Sequence, residues 1–310
     1  MTNLTPINQT KLFGLGKFIN ELIRLYEDDN LPNKILLSGQ KGQGKSTLAY
    51  HFVNYVLSKN EKFSYDLNSF EINHENQSFK TILNKSNINF HLLDINDEKK
   101  NIDINQIREL ISNLNKSSFN DKPRFVLIDN IEFLNINSLN ALLKILEEPS
   151  LNVFFILINN NKKILPTLLS RCINFKISLS NNENTEIIDK LLLDKHKNKI
   201  NNDIINYYFT PGNIYNLIKF AEENNYDLKN MNLHVFLNTL IDNNHYKKDN
   251  RIRLFIYDLI EFYFTKLNTP TSKDIYEKYN YFMQRILNTK RFNLDEESLF
   301  IEFKHKILNG

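Results

Sequence analysis

Lys34-Ile35-Leu36-Leu37-Ser38-Gly39-Gln40-Lys41-Gly42-Gln43-Gly44-Lys45-Ser46-Thr47-Leu48 decides the fold. A short apolar run leads to Gly39, and Gly39 to Ser46 fill every position of G-x-x-x-x-G-K-[ST]. Leu48, Phe52, Val53, Val56 and Leu57 then continue as one helical stripe. Strand, glycine turn and helix in that order are the setting in which this motif carries chemistry. Its glycines let backbone N–H groups wrap phosphates, and the helix that starts near Lys45 turns its positive end toward them. Lys45 is then placed to reach the β and γ phosphates and Ser46 to hold Mg2+. Gly39, Gly42, Gly44, Lys45, Ser46 and Thr47 are the candidate ligands of ATP or ADP. A plain glycine turn at a helix start is the alternative, and it does not require every motif position to be filled.

Working outward, Leu15, Phe18, Ile19, Leu22, Ile23 and Tyr26 have helical spacing ahead of the motif. From about 60 to 100 the chain is polar and irregular, with one strand suggested by Phe90, Leu92, Leu93 and Ile95. Ile104, Ile107, Leu110, Ile111 and Leu114 give an amphipathic helix, and Arg124 to Asp129 reads as a buried strand. The next helix carries Leu139, Leu142, Leu143 and Leu146 and stops at Glu147-Glu148-Pro149, since proline cannot continue it. Val153 to Ile158 is another buried strand, followed by a helix from about 164 to 170. This alternation predicts an α/β class with a parallel sheet. After Phe175-Lys176-Ile177 only helical patterns remain, separated by turns such as Thr210-Pro211-Gly212-Asn213. The expected division is a nucleotide-binding domain over 1–178, a small helical domain over 179–230 and a C-terminal helical domain over 231–310.

Composition narrows the function. With 41% hydrophobic and 24% charged residues, the 310-residue chain is ordinary for a globular protein and long enough for more than one core. A net charge of +3, with the pairs Lys99-Lys100, Lys162-Lys163 and Lys247-Lys248 scattered, gives no concentrated nucleic-acid patch and reads as solvated surface. The one cysteine, Cys172, excludes a disulfide framework and a multi-cysteine zinc site within the chain. No segment approaches the ~18 uninterrupted apolar residues of a membrane span. The expectation is a cytoplasmic protein with no membrane association and no zinc.

The strand ending at Asp129 supplies the carboxylate expected to join Ser46 on the metal. A hydrolysing P-loop protein of this type usually places Glu directly after that Asp to activate water. Here the position holds Asn130, which cannot accept a proton as a carboxylate does. Glu132 follows two residues on; on a continuing strand it would point the same way as Asn130 but sit further along.

Ser138-Leu139-Asn140-Ala141-Leu142-Leu143-Lys144-Ile145-Leu146-Glu147-Glu148-Pro149 resembles the N-A-L-L-K-x-L-E-E-P signature of bacterial clamp-loader subunits, which are AAA+ proteins. Ser170-Arg171-Cys172 resembles the same family's S-R-C motif, and Leu12-Phe13-Gly14 and Asn293-Leu294-Asp295 extend the likeness. The resemblance implies an AAA+ core, a helical lid and a helical collar. It also implies a hetero-oligomer with gamma/tau and delta subunits that acts on the sliding clamp and primed DNA. Within the family, gamma/tau subunits are the ATP motors, and delta-prime offers its S-R-C arginine to a neighbour's nucleotide. Asn130, the Tyr215 of Gly212-Asn213-Ile214-Tyr215 where the motor branch has arginine, and the missing four-cysteine module fit the delta-prime branch. On that reading Arg171 is a finger acting in trans, with a structural salt bridge as its alternative. Asn159 is the expected sensor, with Ile158 and Asn160 left open.

Two other functions stay in play: an autonomous or gamma/tau-like ATPase using Lys45, Ser46, Asp129 and Glu132 in cis, and a nucleotide-stabilised switch. Cys172 reads as a small buried side chain, and the aromatic stripe from Ile252 through Phe255, Ile256, Leu259, Ile260, Tyr263 and Phe264 to Leu267 as helix-packing core.

Overall fold

A computed structural model describes residues 5–95, 101–116, 120–147, 152–192, 200–205, 210–248, 250–267, 273–292 and 294–309. Five strands, β1 (Lys34–Ser38), β2 (Phe90–Leu93), β3 (Arg124–Ile128), β4 (Val153–Asn159) and β5 (Ile173–Lys176), form one sheet in the order β2-β3-β4-β1-β5. All neighbours are parallel. The α/β class read from the sequence is the class observed.

Side chains alternate across the strands and feed two cores. Ile35, Leu37, Phe125, Leu127, Ile156 and Ile158 face one layer, where α1 (Gly16–Glu27), α2 (Lys45–Ser58) and α3 (Gln77–Leu83) contribute Ile19, Phe52 and Phe79. Leu36, Val126, Ile128, Val153, Phe155 and Leu157 face the other. There α4 (Ile104–Leu114), α5 (Ile136–Glu147) and α6 (Pro166–Leu169) bring Ile107, Leu142 and Leu168. Burying each such side chain contributes about 1.5–3 kcal/mol. Strands covered on both faces are therefore apolar throughout, which is why they were legible as runs.

Close contacts divide the chain into two units: Met1–Leu193 with Thr210–Tyr215, and Asp194–Phe209 with Asn216–Gly310. The helix α7 (Asn181–Leu192) belongs to the first, where Lys17 pairs with Glu183 and Ile187 joins the core. The second unit is built from α8 (Asn202–Ile205), most of α9 (Pro211–Glu223), α10 (Leu233–Asp242), α11 (His245–Lys248), α12 (Asn250–Leu267), α13 (Lys273–Phe292) and α14 (Glu296–Phe303). The stripe of α12 lies in its core: Ile256, Leu259, Ile260 and Phe264 are buried, and Phe264 meets Phe282 and Phe303 with ring centroids 5.9 Å apart in each pair.

Two local readings are corrected. Thr210-Pro211-Gly212-Asn213 is not a free turn. Pro211 opens the 13-residue α9, because proline's fixed φ and missing N–H suit the first helical position. Nor is 60–100 wholly irregular: α3 forms there, capped by Asn76, whose side chain accepts from Phe79 N at 2.7 Å. Lys99-Lys100, Glu148-Pro149, the Asn268-Thr269-Pro270 break and Asn293 lie outside the described residues. No helix among those described is long and apolar enough to cross a membrane.

Candidate nucleotide site

The Gly39–Ser46 loop leaves the carboxyl end of β1, the edge where α/β sheets bind ligands. Gly42 has φ +86°, and a Cβ there would lie 2.4 Å from Thr210 Oγ1 and 2.9 Å from Asn213 N. Only glycine allows that approach, which Gly212 N secures by donating to Gly42 O at 2.8 Å. Gly44, at φ +79°, turns the chain into α2, whose first three residues are Lys45, Ser46 and the half-buried Thr47.

Lys45 is 3% exposed, and its ammonium donates to Gly39 O at 2.9 Å and Gln40 O at 2.7 Å. Burial pushes its pKa down to about 8, against the pull of Asp129 and Glu132. Ser46 Oγ donates to Asp129 Oδ2 at 2.6 Å, so the two residues expected to share a metal already meet. Burial pushes the Asp129 carboxyl up to about 6; the Ser46 hydroxyl opposes this and the nearby Asp94 adds to it. Gln43 Oε1 and Thr210 Oγ1 are buried without a protein partner. The buried ammonium can exchange the loop's carbonyls for phosphate oxygens, and the hydroxyl–carboxylate pair can open to a hard cation.

The acid row behind the loop departs from the extended path anticipated for it. β3 ends at Ile128, Asn130 takes a left-handed conformation (φ 56°, ψ 52°), and Ile131–Phe133 form a 3-10 turn. Glu132 is therefore not on a continuing strand. Asparagine tolerates this conformation better than most residues, so the identity that removes the acid also permits the turn. Asn130 Nδ2 donates to Asp94 Oδ1 at 2.9 Å. Asn160 Nδ2 donates both to Asn130 Oδ1 at 2.8 Å and to Glu132 Oε1 at 3.0 Å.

Asn159 is the register partner of Ser38, and its amide turns aside to donate to Lys162 O at 3.0 Å. The asparagine that meets the acid row is Asn160, one residue on. Tyr215 is buried.

Arg171 stands elsewhere. Ile173 pairs with Ile35 and Lys176 with Ser38, so Arg171 precedes the amino end of β5 while the loop leaves the carboxyl end of β1. At ~3.3 Å per residue the two levels are roughly 15 Å or more apart along the sheet. The carboxyl end of α5 lies at the same amino edge, since Lys34 Nζ donates to Leu146 O at 3.0 Å. There Arg171 donates to Glu147 Oε1 at 2.5 Å and to Thr167 O at 2.7 Å. With side chains 29% and 53% exposed, such a pair contributes about 0–1 kcal/mol and is readily exchanged. Cys172 beside it is buried, which pushes its thiol up to about 11 and makes it a poor nucleophile. Lys162 and Lys163 are exposed, and Lys247 pairs with Glu297.

The profile of the family described as "DNA polymerase III, delta subunit" matches residues 14–181, more than half of the chain. The chain is 32% identical over 171 residues to DNA polymerase III subunit gamma/tau of Mycoplasma genitalium, covering 55% of this chain and 27% of that protein. It is 29% identical over 171 residues to DNA polymerase III subunit delta' of Buchnera aphidicola subsp. Schizaphis graminum, covering 53% and 48%. It thus spans about a quarter and about a half of those relatives. Among solved structures it is similar to a DNA polymerase III gamma subunit-related protein of Thermotoga maritima, with 18% identity, a TM-score of 0.49, and 92% and 96% of the two chains covered. The P-loop, the A-L-L-K-x-L-E run and the family match agree: the chain belongs to the DNA polymerase III delta subunit family, AAA+ proteins of the replicative clamp loader.

Proposed function

We propose that this chain acts as a delta-prime-type subunit of the DNA polymerase III clamp loader and helps place the sliding clamp on primed DNA. In this reading it assembles in the cytoplasm with gamma/tau and delta subunits and binds ATP or ADP with Mg2+. It hydrolyses ATP poorly and offers Arg171 to a neighbour's nucleotide. The observation that carries the reading is the separation of the two cationic residues: Lys45 serves the carboxyl edge of the sheet, and Arg171 stands at the amino edge in an exposed, exchangeable pair.

The loop backbone of Gly39, Gly42 and Gly44 would cradle phosphates, with Lys45 on the β and γ groups and Thr47 at the start of α2. Ser46 and Asp129 are the oxygen donors suited to Mg2+, which when bound neutralises charge on the phosphate oxygens. The sensor role expected of Asn159 falls in this reading to Asn160, whose amide spans Asn130 and Glu132. Residues 179–230 are assigned as a lid and 231–310 as an oligomerising collar.

A second reading, a gamma/tau-like ATPase, is favoured by the gamma/tau relative and by the carboxylate of Glu132. Purification separates the two. Copurification of gamma/tau and delta subunits with the tagged chain, and turnover by the isolated chain well below ~1 per second, the low end of typical enzyme rates, support the first. Steady turnover near that rate, abolished by Lys45→Ala, would establish the second.

A further inference from the structure

Glu132 holds an unusual position for a carboxylate that no sequence motif claims. Its Oε1 accepts from Asn160, whereas its Oε2 is buried with no protein partner. Leaving a buried carboxylate oxygen without a donor costs about 1–3 kcal/mol or more, so a ligand that donates a hydrogen bond is favoured there. A water molecule is the smallest such ligand.

The surroundings say what that water would face. Asp129 follows the last residue of β3, and Asn160 follows Asn159, the register partner of Ser38 from which the phosphate loop departs. Glu132 is brought to this edge by the turn at Asn130, and its charge acts on Lys45. Asn130 cannot do the work of the missing acid. Its amide nitrogen is committed to Asp94 and its oxygen to Asn160, and an amide is not basic.

We propose that Glu132 is the general base of a slow ATP hydrolysis at this chain's own P-loop, with Asn160 as its positioning residue. The inference rests on the nucleotide site proposed above. Water oxygen bonds to the γ-phosphorus while its proton passes to the free Glu132 oxygen. The bond from that phosphorus to the β–γ bridging oxygen breaks, and its electron pair leaves on ADP. Inorganic phosphate departs, and Glu132 returns the proton to solvent.

The test uses the full chain with Mg2+, fluorescent mant-ADP for binding, and radiolabelled ATP under enzyme excess for a single turnover. Glu132→Gln keeps mant-ADP affinity within twofold and lowers the single-turnover rate about 100-fold, the low end of what a general base contributes. Aluminium fluoride, which builds a transition-state mimic on ADP, tightens mant-ADP binding to the wild type and not to this variant. Asn160→Ala lowers the rate about fivefold and shifts its acid pH limb, which marks positioning. A Glu132→Gln rate within twofold of wild type, or a wild-type chain that binds nucleotide and turns over no faster than Lys45→Ala, overturns the assignment of the base alone. Absence of mant-ADP binding to the wild-type chain overturns the nucleotide site and this inference with it.

Discussion

Lys45 and Arg171 stand at opposite edges of one sheet and in opposite surroundings. Lys45 is almost fully buried, its charge disfavoured by desolvation and held by the loop's own carbonyls. Arg171 is partly exposed and tied to a more exposed Glu147. A buried lysine that carries an energetic cost is kept for what binds it, whereas an exposed ion pair that contributes little is kept ready for exchange. On the proposed reading the inner site holds a ligand within the chain, and the outer pair opens to another molecule's charge.

The largest effect expected from breaking this contrast is on binding. Lys45→Ala should weaken ATP and ADP affinity of the isolated chain at least about 100-fold, or ~2.7 kcal/mol, while Arg171→Ala leaves it unchanged; titration with mant-nucleotide reads both. Equal losses in the two variants would erase the distinction.

Burial along the inner helix has a second consequence, measurable by acid. His51 on α2 is fully buried, bonded to Tyr65 Oη and Gln9 O at 2.9 Å each, and burial pushes its pKa down to about 4. The unfolded imidazole takes up a proton near pH 6.5. Stability is therefore fully present above about 6.5 and declines toward pH 4, by about 3 kcal/mol in all. Urea melts between pH 7 and 4.5 should show this slope, and His51→Gln should flatten it.

The smallest effect belongs to the outer site. Glu147→Ala should change unfolding free energy by less than ~1 kcal/mol and leave nucleotide affinity untouched. A loss of several kcal/mol would make the Arg171 pair a structural element.

How much of this was legible beforehand follows from where the determinants lie. The buried strands and the phosphate loop are contiguous, so periodicity and motif find them. The turn at Asn130 was missed because a single left-handed residue leaves no periodic trace, and it changes what Glu132 can reach. Asn160 rather than Asn159 faces the acid row because the strand ends one residue earlier than the amide that matters, a choice made by register with β1. The Arg171–Glu147 pair joins residues 24 apart on different elements, beyond any local pattern. The short α3 hid in a polar stretch because it buries only two apolar side chains, Phe79 and Ile82, and its other supports, a cap and Asn54 Nδ2 donating to Asn76 Oδ1 at 3.0 Å, leave no apolar periodicity.

The most direct test of the account is the DNA-stimulated ATPase of a loader reconstituted with gamma/tau, delta and the Arg171→Ala chain. A trans arginine contributes about 10³ to 10⁵ in phosphoryl transfer at the site it serves. The neighbouring site should therefore fall silent and clamp loading should drop, while nucleotide binding by this chain stays intact. Undiminished ATPase and loading would contradict the trans role and leave Arg171 as the partner of Glu147 alone.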